Sequence, residues 1–272
     1  MTSRVALVTG ASSGIGTEVA LALLERGYIV YGAARRVDRM DAIVARGGRA
    51  LALDLTDERS IEACAAAILD EHGRLDVLVN NAGYGSYGAI EEVPLAEARR
   101  QFEVNLFGLA RLTQLVLPVM RQQGAGHVFN VSSIGGKVFT PFGGWYHATK
   151  HALEGWSDAL RMEVAPFGIH VVIIEPGAIK TEWGGIALGS MLATSSKGPY
   201  EAQARGFGKA FEQIEGSGSP PRVVAEAIVR ALSARRPRTR YAMGAGARPA
   251  LLARALLSDR AYDAVVRRLM GT

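Results

Sequence analysis

The stretch that decides the fold is "RVALVTGASSGIG", residues 4–16. Its first half is a short apolar run that reads as a strand, and its second half carries Gly10, Gly14 and Gly16 before apolar residues recur at helical spacing over residues 15–26. A glycine-rich turn between strand and helix has a physical use. Gly10 permits the tight turn, Gly14 lets the backbone approach a ligand, and Gly16 lets helix and strand pack closely. The helix start then offers free N–H groups and a positive dipole end to a pyrophosphate. A plain strand-to-helix turn would also carry glycines, so the rest of the chain has to decide.

Outward from that turn, short β-branched runs alternate with helical stretches. "YIVYGAAR", "RALALDLT", "DVLVNNAG", "HVFNVSS" and "HVVIIEPG" read as strands. Helices are expected over residues 38–46, 58–71, 95–122 and 145–164. Strands apolar at nearly every position are covered on both faces, as in a parallel sheet. Right-handed crossovers then build a single-domain α/β fold of Rossmann type, a doubly wound parallel sheet of about seven strands with helices on both faces. Residues 183–219 are rich in Gly and Ser and suggest a lid or loop with short helices. A helix over residues 223–234, a short strand near "RYAMG" and one or two terminal helices form a basic C-terminal extension from residue 221 to 272.

At 272 residues, with 49% hydrophobic and 21% charged residues, the chain can bury a large core as one domain over residues 1–272. The single cysteine, Cys64, excludes an intrachain disulfide, and no stretch reaches the length of a membrane-spanning helix. With no signal-peptide pattern at the N-terminus, a cytoplasmic setting is the expectation. The net charge of +5 is uneven. From Pro221 onward eleven arginines face three acids, a local balance of +8 that leaves −3 on the first 220 residues. This is a solvated helical surface or a patch for an anionic partner; without any nucleic-acid motif, no nucleic-acid partner is expected.

The spacing Gly-x3-Gly-x-Gly is joined by "NNAG" at residues 80–83, Asn105 in "VNLFG" and "NVSS" ending at Ser133. Tyr146-x3-Lys150 and "PGAIKT" at residues 176–181 follow in order. Together these six features resemble the short-chain dehydrogenase/reductase family over about residues 3–182, and "NNAGYGSYGAIEEV" at residues 80–93 and "ARRQFEVNLFG" at residues 98–108 resemble its hydroxysteroid and retinol dehydrogenase branches. The resemblance implies a nicotinamide dinucleotide and an oxidoreductase. Ser13 and Ile15 fall in the cofactor turn, Asp54 is expected to hydrogen-bond the adenine, and Leu55, Asn80 and Ala82 to line the adenosine half. Ile179 and Thr181 are expected beside the nicotinamide carboxamide.

The second strand ends "YGAARR", with Arg35 where an acid would select the 2′-hydroxyl of NAD. A guanidinium pairs with a 2′-phosphate through two hydrogen bonds, so NADP(H) is expected; a surface cation is the alternative. Lys150 lies one helical turn after Tyr146. A charge about 4 Å away at an effective dielectric of about 20 contributes ~4 kcal/mol, or ~3 pKa units, which would bring the phenol towards neutrality. By resemblance, Tyr146 is the general acid/base that interconverts a secondary alcohol and a ketone or aldehyde, and Ser133 holds the substrate oxygen. Lys150 also holds the ribose, and Asn105 kinks a long helix and supports a water leading to Lys150.

His147 and His151 have the spacing of two zinc ligands, but Ala148 stands where the following Glu is needed, so no metal is expected. Tyr84, Tyr87, Phe139, Phe142, Trp145 and Trp183 suggest an aromatic pocket for a lipophilic substrate, or simply a packed rim. The other readings are a 3-ketoacyl thioester reductase whose arginine-rich tail meets a phosphorylated carrier, and a non-catalytic NADP(H)-sensing protein. By resemblance, the helices over residues 95–122 and 145–164 associate a homodimer or homotetramer.

Overall fold

The computed structural model describes residues 4–272. Strand β1 (Val5–Thr9) leads through the glycine turn into α1 (Gly14–Leu24), and β2 (Ile29–Ala34) is followed by a 3-10 turn and the short α2 (Asp41–Val44). The units β3 (Arg49–Ala52) with α3 (Glu58–His72) and β4 (Val77–Asn80) with α4 (Leu95–Phe102) come next. Helix α5 (Gly108–Gln123), β5 (Gly126–Val131), α6 (Gly144–Val164) and β6 (Ile169–Pro176) continue the alternation. The remaining elements are α7 (Glu182–Ser195), α8 (Glu201–Gly216), α9 (Arg222–Leu232), β7 (Arg240–Met243), α10 (Ala247–Leu256) and α11 (Asp259–Met270).

The seven strands form one parallel sheet in the order β3-β2-β1-β4-β5-β6-β7. Alternation along β1 explains its unbroken apolar run. Ala6 and Val8 face a core shared with α1 and α9, while Val5 and Leu7 face one shared with α3, α5 and α6. Burying side chains such as Leu7, Leu23, Leu78 and Leu112 completely contributes about 1.5–3 kcal/mol each. Cys64 sits in the second core, where burial pushes its thiol up to about 12 and leaves it inert at neutral pH.

The sheet order reverses between β1 and β4, and a crevice opens beyond their carboxyl ends. Asn81 fastens this point: its backbone N–H donates to Thr9 Oγ1, and its side-chain amide donates to the Thr9 carbonyl at 2.9 Å.

The helix expected over residues 95–122, with a kink at Asn105, is broken there by a π-helical turn, Glu103–Phe107, between α4 and α5. One region differs from the sequence expectation. The Gly/Ser-rich region after residue 182 is a pair of full helices, α7 with 14 residues and α8 with 16. Buried Ala187, Met191, Phe207 and Phe211 anchor the pair in a third, aromatic cluster, so tertiary burial overrides the weak helix propensity of glycine.

Candidate active site

A cavity of about 590 Å³ runs from the glycine turn, past the ends of β4 and β5, to the α7–α8 pair. At one end Gly10 and Gly14 have φ of +67° and +55°, the left-handed region open to glycine. A Cβ at Gly10 would lie 2.8 Å from the Ala82 Cα, and one at Gly16 would collide with the Gly10 carbonyl oxygen. Gly16 therefore packs behind the turn. Ser13 stands at the N-cap of α1 with no side-chain cap hydrogen bond, so the first N–H groups of α1 have no side chain capping them. Backbone stripped of side chains in front of an uncapped helix start fits a pyrophosphate.

Around that turn, Ile15, Arg35, Asp54, Leu55, Ala82, Ile179 and Thr181 line the cavity. Arg36 reaches Ser13 Oγ at 3.4 Å and pairs with Glu182 at 3.2 Å. Arg35 makes no ion pair or hydrogen bond among the described residues. The Asp54 carboxylate accepts from the Thr56 N–H and hydroxyl, closing the next turn; these bonds and Arg35 outweigh burial and hold it below its ordinary range.

Asn80 is displaced from its expected place. It lies behind the cavity wall, donating to Thr113 Oγ1 at 3.0 Å and Asn130 Oδ1 at 2.9 Å, while Asn130 donates to Ser157 Oγ at 2.8 Å. This chain ties α5, β4, β5 and α6 together. The wall position belongs to Asn81, because β4 ends at residue 80 and the chain turns there.

The middle of the cavity gathers Ser133 from the end of β5 with Tyr146 and Lys150 from one face of α6. Ser133 Oγ accepts from the Gly135 N–H at 3.0 Å and hydrogen-bonds Tyr146. Lys150 Nζ donates to the Val131 carbonyl at 2.9 Å and stands 5.9 Å from the Tyr146 ring centre. Asn105 does not line the cavity. Buried in the π-helical turn, it accepts from the Tyr84 N–H, donates to the Tyr84 carbonyl, and donates to Thr149 Oγ1 at 3.1 Å. Thr149 in turn donates to the Tyr146 carbonyl at 2.8 Å. Sequence reading did not single out Thr149, because a threonine inside a helix gives no signal until its partner across the fold is known.

The electrostatics correct the expected tuning of the tyrosine. Burial pushes the Tyr146 phenol up to about 12; the Ser133 hydrogen bond opposes this and the Glu215 charge adds to it. Lys150 is drawn down to about 8 by burial, which Glu154 only partly offsets. With its ammonium turned to the Val131 carbonyl, Lys150 does not offset the burial of the phenol, which keeps its proton at neutral pH.

At the far end Tyr87 and Trp183 line the cavity with Ile186, Phe211, Ile214 and Met270, whereas Tyr84 lines it nearer Arg35 and Arg100, its hydroxyl donating to Glu97 Oε1 at 2.9 Å. Trp183 lies 4.9 Å from Tyr146, centre to centre. Phe139 and Trp145, expected as substrate contacts, do not line it. Phe139 packs on Tyr262 at 5.1 Å under Arg254, held by the terminal helices. Trp145 is rotated away by the ~100° that separates neighbours on a helix. Phe142 is buried in the aromatic cluster, its backbone at φ +63°. His147 is a wall residue whose ring bonds the Gly135 carbonyl and Thr140, and burial draws it down to about 4.

The comparisons agree with this geometry. The short chain dehydrogenase model matches residues 4–186. The chain is 37% identical over 244 residues to a 3-ketodihydrosphingosine reductase of Bacteroides thetaiotaomicron, covering 90% of this chain and 89% of that one. It is 35% identical over 277 residues to an NADPH-dependent 3-dehydrocapnine reductase of Ornithobacterium rhinotracheale, covering 96% and 95%. The crystal structure of a short-chain dehydrogenase from Streptomyces avermitilis superposes with a TM-score of 0.83 at 38% identity, over 99% of this chain and 96% of that one. A seven-stranded sheet, a glycine turn at its switch point and a match spanning most of the chain leave one conclusion: the protein is an oxidoreductase of the short-chain dehydrogenase/reductase family.

Proposed function

We propose that the protein is an NADP(H)-dependent oxidoreductase that interconverts a ketone and a secondary alcohol on a lipophilic substrate. The observation that carries this reading is the convergence of Ser133, Tyr146 and Lys150 in one cavity with the glycine turn. Arg35, just past the end of β2 and without an ion pair or hydrogen bond among the described residues, supports a preference for the 2′-phosphate. The names of the two relatives above, both reductases and one NADPH-dependent, support the same direction.

When bound, the nicotinamide supplies or accepts the hydride. Ser133 Oγ hydrogen-bonds the substrate oxygen and orients it. Tyr146 Oη, kept protonated by burial, donates its proton to that oxygen as charge develops there. Lys150 binds the ribose, and Asn105 fixes the Tyr84 loop through both of its backbone groups. Apolar side chains of α7, α8 and α11 exclude water and receive the rest of the substrate. Exposed Phe107 and Met162, on the two long helical segments, support a homodimer or homotetramer, which light scattering of the purified protein measures.

The test is NADPH oxidation with a panel of ketones, aldehydes and 3-ketoacyl thioesters. Turnover of lipophilic ketones, with NADPH preferred to NADH, is expected; turnover confined to thioesters, or NADPH binding with no turnover of any carbonyl, overturns the reading.

A further inference from the structure

The substrate end of the cavity contains a carboxylate that the reaction above does not use. Glu215 stands on the last turn of α8 and lines the cavity beside Trp183, Ile214 and Phe211. Among the described residues its carboxylate makes no hydrogen bond and no ion pair. Space is made for it: a Cβ at Gly184 on α7 would collide with the Glu215 carboxylate. Its position is also unfavourable, because the C-terminal end of a helix repels a negative charge. Burial alone pushes the carboxyl up, with no neighbouring cation to oppose it.

The cations that line the cavity are engaged elsewhere. Arg36 is tied to Glu182, Lys150 to the Val131 carbonyl, and Arg35 and Arg100 act on Asp54. A half-buried carboxylate in an apolar wall costs stability unless something pairs with it. Among the described residues no side chain pairs with it, although Lys180 and Glu215 border one open groove on the other side of α7, and the face turned to the cavity is left for a ligand.

We propose that Glu215 receives an ammonium group of the substrate, so that the cavity takes an amino ketone, or the matching amino alcohol, with the amine close to the reacting carbon and an apolar remainder against Ile186, Phe211, Ile214 and Met270. This rests on the ketone and alcohol chemistry proposed above and names its substrate class. Proximity to the reacting carbon follows from the cavity wall, where Glu215 stands with Trp183, whose ring centre lies 4.9 Å from that of Tyr146. In reduction the carbonyl carbon takes a hydride from the reduced nicotinamide and the oxygen takes the Tyr146 proton, so C=O becomes H–C–O–H while the ammonium keeps its own proton. The pairing also assists the step. Glu215 raises Tyr146, and a cation at Glu215 cancels that effect and makes the phenol the stronger acid.

The test compares three carbonyl compounds of one chain length, a 2-amino-3-ketone, its N-acetyl derivative and the plain ketone, in wild type and Glu215→Gln. Wild type is expected to prefer the free amine by about tenfold or more in kcat/KM, and Glu215→Gln to reduce that ratio by a similar factor. An unchanged ratio, or a wild-type preference for the plain or acetylated ketone, overturns the proposal while leaving the ketone reading intact; no turnover of any of the three overturns both. A second measurement needs no variant. Octylamine is expected to quench the fluorescence of wild-type Trp183 at lower concentration than octanol does, and equal or weaker binding of the amine also overturns the proposal.

Discussion

The two ends of the cavity are built on different principles. The end around residues 10–82 is made of backbone at strand termini, where small residues must leave room and helix starts must stay open. The end around residues 183–270 is made of side chains projecting from helices remote from each other in sequence, with Trp183, Phe211, Glu215 and Met270 drawn from three of them. Backbone-built sites tolerate few residue types and leave motifs. Side-chain-built sites leave little beyond amphipathic spacing, and they are where a substrate is chosen.

The contrast can be broken at either end. The largest effect is expected at the junction between them, where Tyr146→Phe should lower turnover by ~10²–10⁴-fold, the usual contribution of a general acid. NADPH affinity, read by quenching of protein fluorescence, should stay near the parent's, and substantial residual turnover would remove Tyr146 from its role. Arg35→Asp should weaken NADPH by about tenfold or more and NADH far less, as a carboxylate repels a 2′-phosphate that a guanidinium binds. Equal loss for both cofactors would break the assignment.

Gly16→Ala should destabilise the fold by about 1–3 kcal/mol in thermal melts, since the new methyl group meets the Gly10 carbonyl and nothing flexible can give way. An unchanged melting temperature would show that the turn has slack.

The smallest effect concerns pH. His147 sits at about 4 in the fold against an ordinary 6.5, so between those values the unfolded chain binds a proton that the folded one refuses. The contribution of His147 to stability is therefore full above about pH 6.5 and lost as pH falls towards 4. His127, also at about 4, adds to the slope, whereas Glu175, raised to about 7, opposes it, so the comparison should be wild type against His147→Asn. Melting temperatures of the pair should converge by a few degrees between pH 7 and 5.

Legibility in the sequence followed the same division. The strands and their order along the chain could be read because each is an apolar run bounded by turns, and the glycine turn because a side chain there would strike backbone. Asn80 was misplaced by one residue, since the motif does not say where β4 stops. Phe139 and Trp145 were aromatic and close in sequence to Tyr146, yet α6 turns one aside and the terminal helices claim the other. The expected pull of Lys150 on Tyr146 assumed an ammonium free to act at about 4 Å, and the fold gives that ammonium a carbonyl and a dry environment instead. Glu215 had no local signal at all; its meaning comes from what fails to surround it.

The π-helical turn at Glu103–Phe107 can be understood as a phase shift. One extra residue wound into the long helix lets the portion before it and the portion after it keep different faces inward, so that Asn105 serves the Tyr84 loop while Leu112, Val116 and Met120 stay on the sheet. Deleting a single residue there would heal the helix into an ordinary one and rotate everything upstream by ~100° against everything downstream. Such a chain could keep its core and its sheet and still lose the alignment between the Tyr84 loop and α6, which makes the bulge a point where function can be uncoupled from folding.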